Sequence, residues 1–420
     1  MNRPSRPAAS PAAPATASAD APRAPARRRA LATLGSAGLL AAGCGGGTDL
    51  AGVGSGGTGQ SASSSFSAGA ISGFGSVIVN GIRFDDTAAT VTDDLGGTRT
   101  LGQLGIGMVV EVDGSSDDTT GLGVARAIRV VSEATGPIES VDAAAGRFVM
   151  LGMTVQTGAA TVWEDARGIG SVAAGSVVEA WGFLDRSTGI LRASRIELRP
   201  AGTSGAKLRG PVAGFDATAR SFRIGTQWID ARDVALPAGF ADGTVAVVSG
   251  SRPAAGAPWR PDRVAIAQVA LAATVTVVRL EGTVAGFQSA ARFELAGLSV
   301  DATDAVYSNG TAATLRNGLR VRVTGVASGG RVLARRLEVR SDDDDGSSTD
   351  EAEIKGTITR FGRIADFTVR DALGRLFLVD ATLVTRYDGL SAADLRIGLS
   401  LRVKGRAGTI LRATEIRLER

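Results

Sequence analysis

Apolar and other residues alternate along much of the chain. In the stretch GLRVRVTG, Val321 and Val323 fall on one side, and Arg320, Arg322 and Thr324 on the other. A period of two marks a strand with one buried face. The same pattern recurs as GMVVEVDG at Gly107, GSVVEAWG at Gly175, GTVAVVSG at Gly243, GLRVRVTG at Gly318 and GLSLRVKG at Gly398. A second pattern precedes it each time: GAISGF at Gly69, GPIESV at Gly136, GPVAGF at Gly210, GTVAGF at Gly282 and GTITRF at Gly356. A third closes each copy, as ARAIRV, ASRIEL, PDRVAI, ARRLEV and ATEIRL. Three patterns in fixed order, five times over, indicate duplication of one unit.

Successive units start 67, 74, 72 and 74 residues apart. Such a unit is long enough to own a core, so these are domain-sized repeats rather than turns of a solenoid. Further strand-like sequence, such as RFVMLGMTVQ and RSFRIGTQWIDA, lies between the first two patterns, and GLSAADLRIG suggests a helical turn. Each unit therefore reads as five to six strands with a short helical insertion. Closing them into a barrel removes exposed edges. The predicted fold class is all-β: five tandem OB-like barrels, with an SH3-like barrel or small open sandwich as the alternative. The expected boundaries are 69–134, 135–199, 207–270, 279–340 and 353–420. Short linkers join them, and an acidic one, 341–352, precedes the fifth. The apolar run Val264–Val278 reads as one strand leading into another, not as a membrane span.

The N-terminal part has no such alternation. Residues 1–26 are mostly Pro, Ala and Ser, too poor in apolar surface to order themselves. Arg27, Arg28 and Arg29 then precede ALATLGSAGLLAAG and Cys44, the layout of an export signal over residues 1–43. The residues before Cys44 resemble the lipobox of bacterial lipoproteins. Ala42 and Gly43 fit it, and Ala41 stands where leucine is usual, with Leu40 one step back. The resemblance implies that Cys44 carries lipid and begins the mature protein. The alternative is an ordinary secreted protein cut near the same place. Arg28-Arg29 before Ala30-Leu31 resembles part of a twin-arginine signal, so either export route stays open. Residues 44–68 read as the lipidation site and a Gly/Ser tether, reaching about 25–30 Å as a random coil. Gly45, rather than Asp, after the cysteine favours the outer membrane by the family's sorting rule.

Residues 69–420 resemble the tandem small β-barrel repeats of bacterial secreted lipoproteins, catalogued as a domain of unknown function. The motifs that carry the likeness are the G-x-[VI]-x-x-F start, VDAT at Val300–Thr303 and Val379–Thr382, the G-x-x-V-x-V-x-G strand and the A-x-x-I-x-L end. The resemblance implies a fold and an envelope location, and brings no catalytic residues.

Composition narrows the chemistry. The formal charge of +4 is misleading, because residues 1–43 hold six arginines and one acid. The remaining 40 basic and 41 acidic residues nearly cancel. With no histidine and one cysteine, Cys/His metal sites and Ser/His/Asp machinery are excluded. There is no phosphate-binding G-x-x-x-x-G-K-[ST] loop. No catalytic residue, metal site or cofactor is expected. Asp85, Asp230, Asp301 and Asp380 occupy one position in four units, where Gln156 stands in the second. A single aspartate per barrel reads as a turn residue bonding backbone N–H groups. SDDDDGSSTDE approaches a calcium loop, but Ser341 and Ala352 fall where acids are needed.

One outward position on the second-pattern strand changes sign through the units: Glu111, Glu179, Val247, Arg322, Arg402. The expected meaning is a set of solvated outer faces. The sharper alternative is an anion-binding C-terminal half using Arg320, Arg322, Arg402, Lys404 and Arg406, for nucleic acid or an acidic glycan. No regular pattern of exposed aromatics accompanies them, which disfavours nucleic acid. The sequence thus points to a non-catalytic, lipid-anchored envelope protein that binds or scaffolds an unidentified protein or glycan.

Overall fold

The computed structural model describes residues 62–74, 76–254, 256–340, 351–406 and 410–419. The expected export signal (1–43), Cys44 and most of the expected acidic linker lie outside the described residues.

Five barrels follow one another, each built on the same five strands. In barrel 1 these are Ser63–Gly73, Val77–Val79, Ile82–Asp85, Val109–Asp117 and Leu122–Val130. The first strand pairs antiparallel with the second and the fourth. The second pairs with the third, the third runs parallel to the fifth, and the fifth pairs antiparallel with the fourth. The sheet thereby closes in the spatial order 1-2-3-5-4, and a short 3₁₀ turn, Leu101–Gln103, sits before the fourth strand. That order, with its one parallel pair, is an OB-like barrel rather than an SH3-like barrel or open sandwich. The expected helical insertion is this single turn, repeated at Ile169–Ser171, Ala312–Thr314 and Ala392–Asp394.

Two glycines explain why the second pattern is bounded as it is. The leading one (Gly107, Gly175, Gly243, Gly318, Gly398) has φ between 82° and 90°, a turn conformation that a Cβ disfavours. The closing one sits where the fourth strand slips register against the fifth, as at Asp113/Gly114 and Thr324/Gly325. A Cβ on Gly114 or Gly325 would lie 2.0 or 2.2 Å from a carbonyl oxygen of the fifth strand. The bulge bends the strand around the barrel, and only glycine fits there.

Barrel 3 departs from the pattern. Its fourth and fifth strands shorten to Val245–Ser251 and Arg263–Ile266, and a longer loop joins them. Its parallel closure is one bridge, Ile229 to Trp259. Trp259 is buried, and its indole N–H donates to the Ser251 carbonyl at 2.8 Å. Among the described residues this barrel has no 3₁₀ turn.

The barrels are not beads on a string. The first strands of barrels 1 and 4 pair in parallel, Ser65–Ala68 against Val277–Leu280. Gly73 of the same strand pairs with Glu353 of barrel 5, and barrels 2 and 3 join through Ala134–Thr135 and Lys207–Leu208. Apolar clusters follow these joins: one spans barrels 1 and 5 and takes in Val162 and Trp181 of barrel 2, another spans barrels 2 and 3, and a third fills barrel 4 with Phe66 and Ala68 of barrel 1.

This packing corrects several boundaries. Ser63–Ala68, expected in the tether, is strand, with Ser65, Phe66 and Ser67 buried. It has strands on both edges, the fourth strand of barrel 1 and the first of barrel 4, and its small serines permit the close approach. Strands likewise begin at Ala134, Gly205, Val277 and Glu351, one or two residues ahead of the expected starts of barrels 2 to 5, because each first strand is extended to reach a neighbour. The apolar run Val264–Val278 joins two strands through the loop 267–276, from which Val269 and Leu271 pack on the barrel 4 core. No helix among the described residues is long and apolar enough to cross a membrane.

Candidate functional site: a cleft between three barrels

The outward position that changes sign is not a solvated face. Glu111, Glu179 and Val247 are buried, and Arg322 and Arg402 are half-buried. Each belongs to a cross-strand rung with the fifth strand. The pairs are Glu111–Arg129, Glu179–Glu197, Val247–Ala265, Arg322–Glu338 and Arg402–Arg417 in barrels 1 to 5. Where the rung holds like charges, a residue beyond it supplies the counter-charge. Arg199 bonds Glu179 and lies 2.9 Å from Glu197, while Arg402 bonds Glu419 at 2.7 Å and lies 3.3 Å from Glu353. Alternation distinguishes inward from outward, but not water from a neighbouring barrel.

The five basic residues singled out from the sequence are therefore largely engaged. Arg320 and Arg322 hold buried Glu281 at 2.5 and 3.2 Å. Burial alone would raise the Glu281 carboxyl, but Arg320, Arg322 and Arg340 outweigh it and pull it down to about 2. Arg320 also lies over the Phe183 ring of barrel 2 at 4.7 Å. Lys404 lies 3.9 Å from Glu353, and Arg406 is exposed, opposite Glu351 in the ladder. The structure brings these residues together in two sets, one per barrel. The turn aspartates behave as the sequence suggests: Asp85, Asp301 and Asp380 each accept the backbone N–H and hydroxyl of the threonine two residues on.

A cleft of about 920 Å³ opens where barrels 1, 2 and 5 meet. Barrel 1 contributes Arg99 and the segment Gly102–Ile106, barrel 2 contributes Val162–Arg167 with Arg195, Glu197 and Arg199, and barrel 5 contributes Leu373–Leu378. Two walls are strand edges. Val162–Glu164 pairs on one side with Arg195–Glu197, and Leu376–Leu378 on one side with Thr368–Arg370. Successive residues of each line the cleft, as an edge allows and an alternating face does not. Leu373 and Leu376 are exposed at its rim, and Trp163 is buried in its wall.

Arg195, Arg375 and their acids are pinned, while exposed Asp165 and Arg167 also line the cleft. Arg195, almost wholly buried, donates to Glu197 at 2.7 Å and to the Ile106 carbonyl of barrel 1 at 3.0 Å, and also meets Glu164. Burial lowers its pKa, and Glu197 opposes the shift. Arg375 lies over the Phe74 ring at 3.4 Å, donates to Asp371 at 2.5 Å and reaches the Leu101 and Leu104 carbonyls at 3.2 and 3.3 Å. Its pKa too is lowered by burial, against the hydrogen bond to Asp371. These arginines fasten the barrels together. Glu164 and Glu197 stand opposite each other in the ladder, but both are tied to Arg195. The described residues hold no cluster of His, Cys, Asp or Glu able to bind a metal. The cleft offers apolar surface, unpaired strand edges and fixed charges: the means to bind an extended chain.

Sequence reasoning missed the cleft because three distant segments build it. The one available signal was Arg195 in ASRIEL, where the third, fourth and fifth units also place charge (Arg263, Arg336, Glu415) but barrel 2 turns it onto barrel 1.

A family model described as Domain of unknown function (DUF5666) matches residues 68–129, 135–197, 281–338 and 355–417. Barrel 3, the irregular one, lies outside those matches. A search of the curated proteins finds no match. Among solved structures the chain is similar to one titled drosophila Unr CSD456, at 12% identity over 69% of this chain and 97% of that chain, with a TM-score of 0.13. A score that low carries no argument, and the strand order above stands as the evidence for the barrel.

Proposed function

Since the chain belongs to the DUF5666 family, a multi-module assembly of repeated β-barrel domains, we propose from its geometry a non-catalytic binding protein of the bacterial envelope, held there by lipid on Cys44. The cleft between barrels 1, 2 and 5 is its binding site, and an extended segment of an envelope protein is its ligand. The observation that carries this reading is the pair of open strand edges, Val162–Glu164 and Leu376–Leu378, beside the exposed leucines of the rim. An extended peptide adds to such an edge through its main chain and seats alternate side chains in the apolar parts. The ion-paired state of Glu164, Glu197, Arg195 and Arg375 supports binding over acid–base chemistry, which needs a group left able to exchange its proton. Cofactor, metal and nucleic acid have no part in it.

The test is capture from native envelopes with the full chain as bait. A protein retained by the unaltered chain and lost with Leu373→Asp/Leu376→Asp supports the site, and equal retention overturns it. Anchoring is tested apart: a Cys44→Ser variant that still fractionates with membranes removes the lipid from the reading.

A further inference from the structure

Barrel 3 carries a surface the other barrels lack. On its third strand, Gln227–Asp230, the outward residues are Trp228 and Asp230. Directly across on the second strand are Arg223 and Ser221. The Arg223 guanidinium lies 5.2 Å from the Trp228 ring centre, which fixes the indole by cation–π attraction. Trp228 nonetheless remains 48% exposed, and every other aromatic side chain among the described residues is buried or half-buried. In the other barrels the matching cross-strand pairs are Ile78–Arg83, Val149–Thr154, Glu294–Ser299 and Thr368–Leu378. Three of these serve internal contacts: Arg83 pairs with Glu353, Glu294 with Arg186, and Leu378 lines the cleft. In barrel 3 the same face looks outward.

Beside the indole stands a prearranged cationic fork. Asp230 accepts Nε and Nη2 of Arg232 at 2.8 and 2.7 Å, and Nε of Arg260 at 3.2 Å. The hydrogen bonds from Arg232 hold the Asp230 carboxyl far below the usual carboxylate range, with Arg260 adding to the effect. The side chains of Arg232 and Arg260 are 59% and 66% exposed. Each has five N–H donors, so after bonding Asp230 both retain donors for a ligand. Arg260 is placed by the long fourth-to-fifth loop: Asp230 N–H donates to the Trp259 carbonyl at 2.8 Å, and Trp259 N–H to the Trp228 carbonyl at 2.7 Å. The shortened strands and longer loop of barrel 3 thus have a local product, the seating of Arg260 on Asp230, two residues along the strand from Trp228.

We propose that this face, Trp228 with Arg223, Arg232 and Arg260, binds a polysaccharide containing uronic acid. The C–H face of a pyranose ring stacks on the indole, and the ring's carboxylate takes the planar donors of Arg232 and Arg260. A planar carboxylate suits guanidinium geometry, and the second and third strands of OB folds, with their adjoining loops, are a surface used for oligosaccharides. A single stacking platform fits one sugar ring, whereas single-stranded nucleic acid uses a succession of them. The inference goes beyond the envelope-binding reading and does not rest on the cleft.

The probe is a galacturonic acid hexamer titrated into the full chain, followed by tryptophan fluorescence and calorimetry. The other three tryptophans (Trp163, Trp181, Trp259) are buried, so a change in acrylamide quenching reports Trp228. Saturable binding is expected, weakened at least tenfold by Trp228→Ala, by Arg232→Gln/Arg260→Gln, and by reduction of the sugar carboxyls to alcohols. Trp228→Phe retains a measurable part of the affinity, and Leu373→Asp/Leu376→Asp at the cleft leaves it unchanged. Unaltered melting of Trp228→Ala shows that lost binding is not lost folding. No binding at millimolar hexamer, equal binding by Trp228→Ala, equal binding of the reduced hexamer, or tighter binding of an oligothymidylate overturns the proposal.

Discussion

Barrels 1 and 4 carry one rung with its signs exchanged. In barrel 1 the fourth strand offers Glu111 and the fifth Arg129; in barrel 4 the fourth offers Arg322 and the fifth Glu338. The position tolerates either charge as long as its partner answers it. Yet the two rungs differ in how their acids fare. Glu111 is raised by burial, which Arg129 only partly offsets. Glu281, the additional acid opposite Arg322, sits among three guanidiniums and is strongly lowered. One buried acid faces a single arginine, while the other is held by three.

The largest test of that contrast is Glu281→Gln. It removes the acid that Arg320 and Arg322 share, though Arg322 keeps Glu338, and should cost about 3 kcal/mol in denaturant unfolding. A loss below about 1 kcal/mol would mean that this acid contributes little.

Acid sharpens the same contrast. The folded pKa of Glu281 lies near 2 against 4.5 for the ordinary group, so its contribution is present above pH 4.5 and is lost as pH falls toward 2. Glu111 has the opposite sign: raised on folding, its ionisation costs stability as pH rises through its folded value. Glu281→Gln should therefore flatten the stability profile below pH 4.5, and Glu111→Gln should leave that limb unchanged and remove a decline in stability above pH 4.5. The same slope in both variants would refute the assignment.

A charge exchange asks whether pairing or sign matters. Glu111→Arg alone sets two cations side by side, and adding Arg129→Glu recreates the barrel 4 order. The second change should recover about 1–3 kcal/mol, measured as a double-mutant cycle. Additivity would show that the rung is not a unit. The smallest effect belongs to what the two barrels share. Asp85→Asn and Asp301→Asn each keep the oxygen that the following threonine donates to, and should shift the melting temperature by less than about 2 °C.

Much of the fold was legible because alternation and turn glycines are local. Val321 and Val323 declare an inward face on their own, and Gly107 and Gly114 mark a turn and a bulge within one strand. Which barrel covers which was not legible. Trp181 has the outward parity of a solvent-facing residue, yet it is fully buried in the apolar cluster of barrels 1 and 5. Nothing in its local sequence distinguishes it from exposed Trp228. The serines of Ser63–Ala68 read as tether for the same reason: a strand enclosed on both edges needs small residues, and these look like linker composition. The candidate sites fared likewise. Arg320 and Arg322 were visible as basic residues on a strand, but Glu281, which claims them, is about 40 positions away.

The parallel join between barrels 1 and 4 has a consequence for how the chain finds its fold. Thr276 donates to the Ser64 carbonyl across 212 residues. Closing so long a loop costs little extra stability, since the entropy grows only with the logarithm of length. It costs time, because contacts of high sequence separation form late. Until then the first strand of barrel 1 shows a bare edge, and a bare edge is a template for any matching strand. The best match in a concentrated solution is Val277–Leu280 of another copy. The misassembly such an edge favours is an exchanged dimer, in which each chain would complete its neighbour's seam.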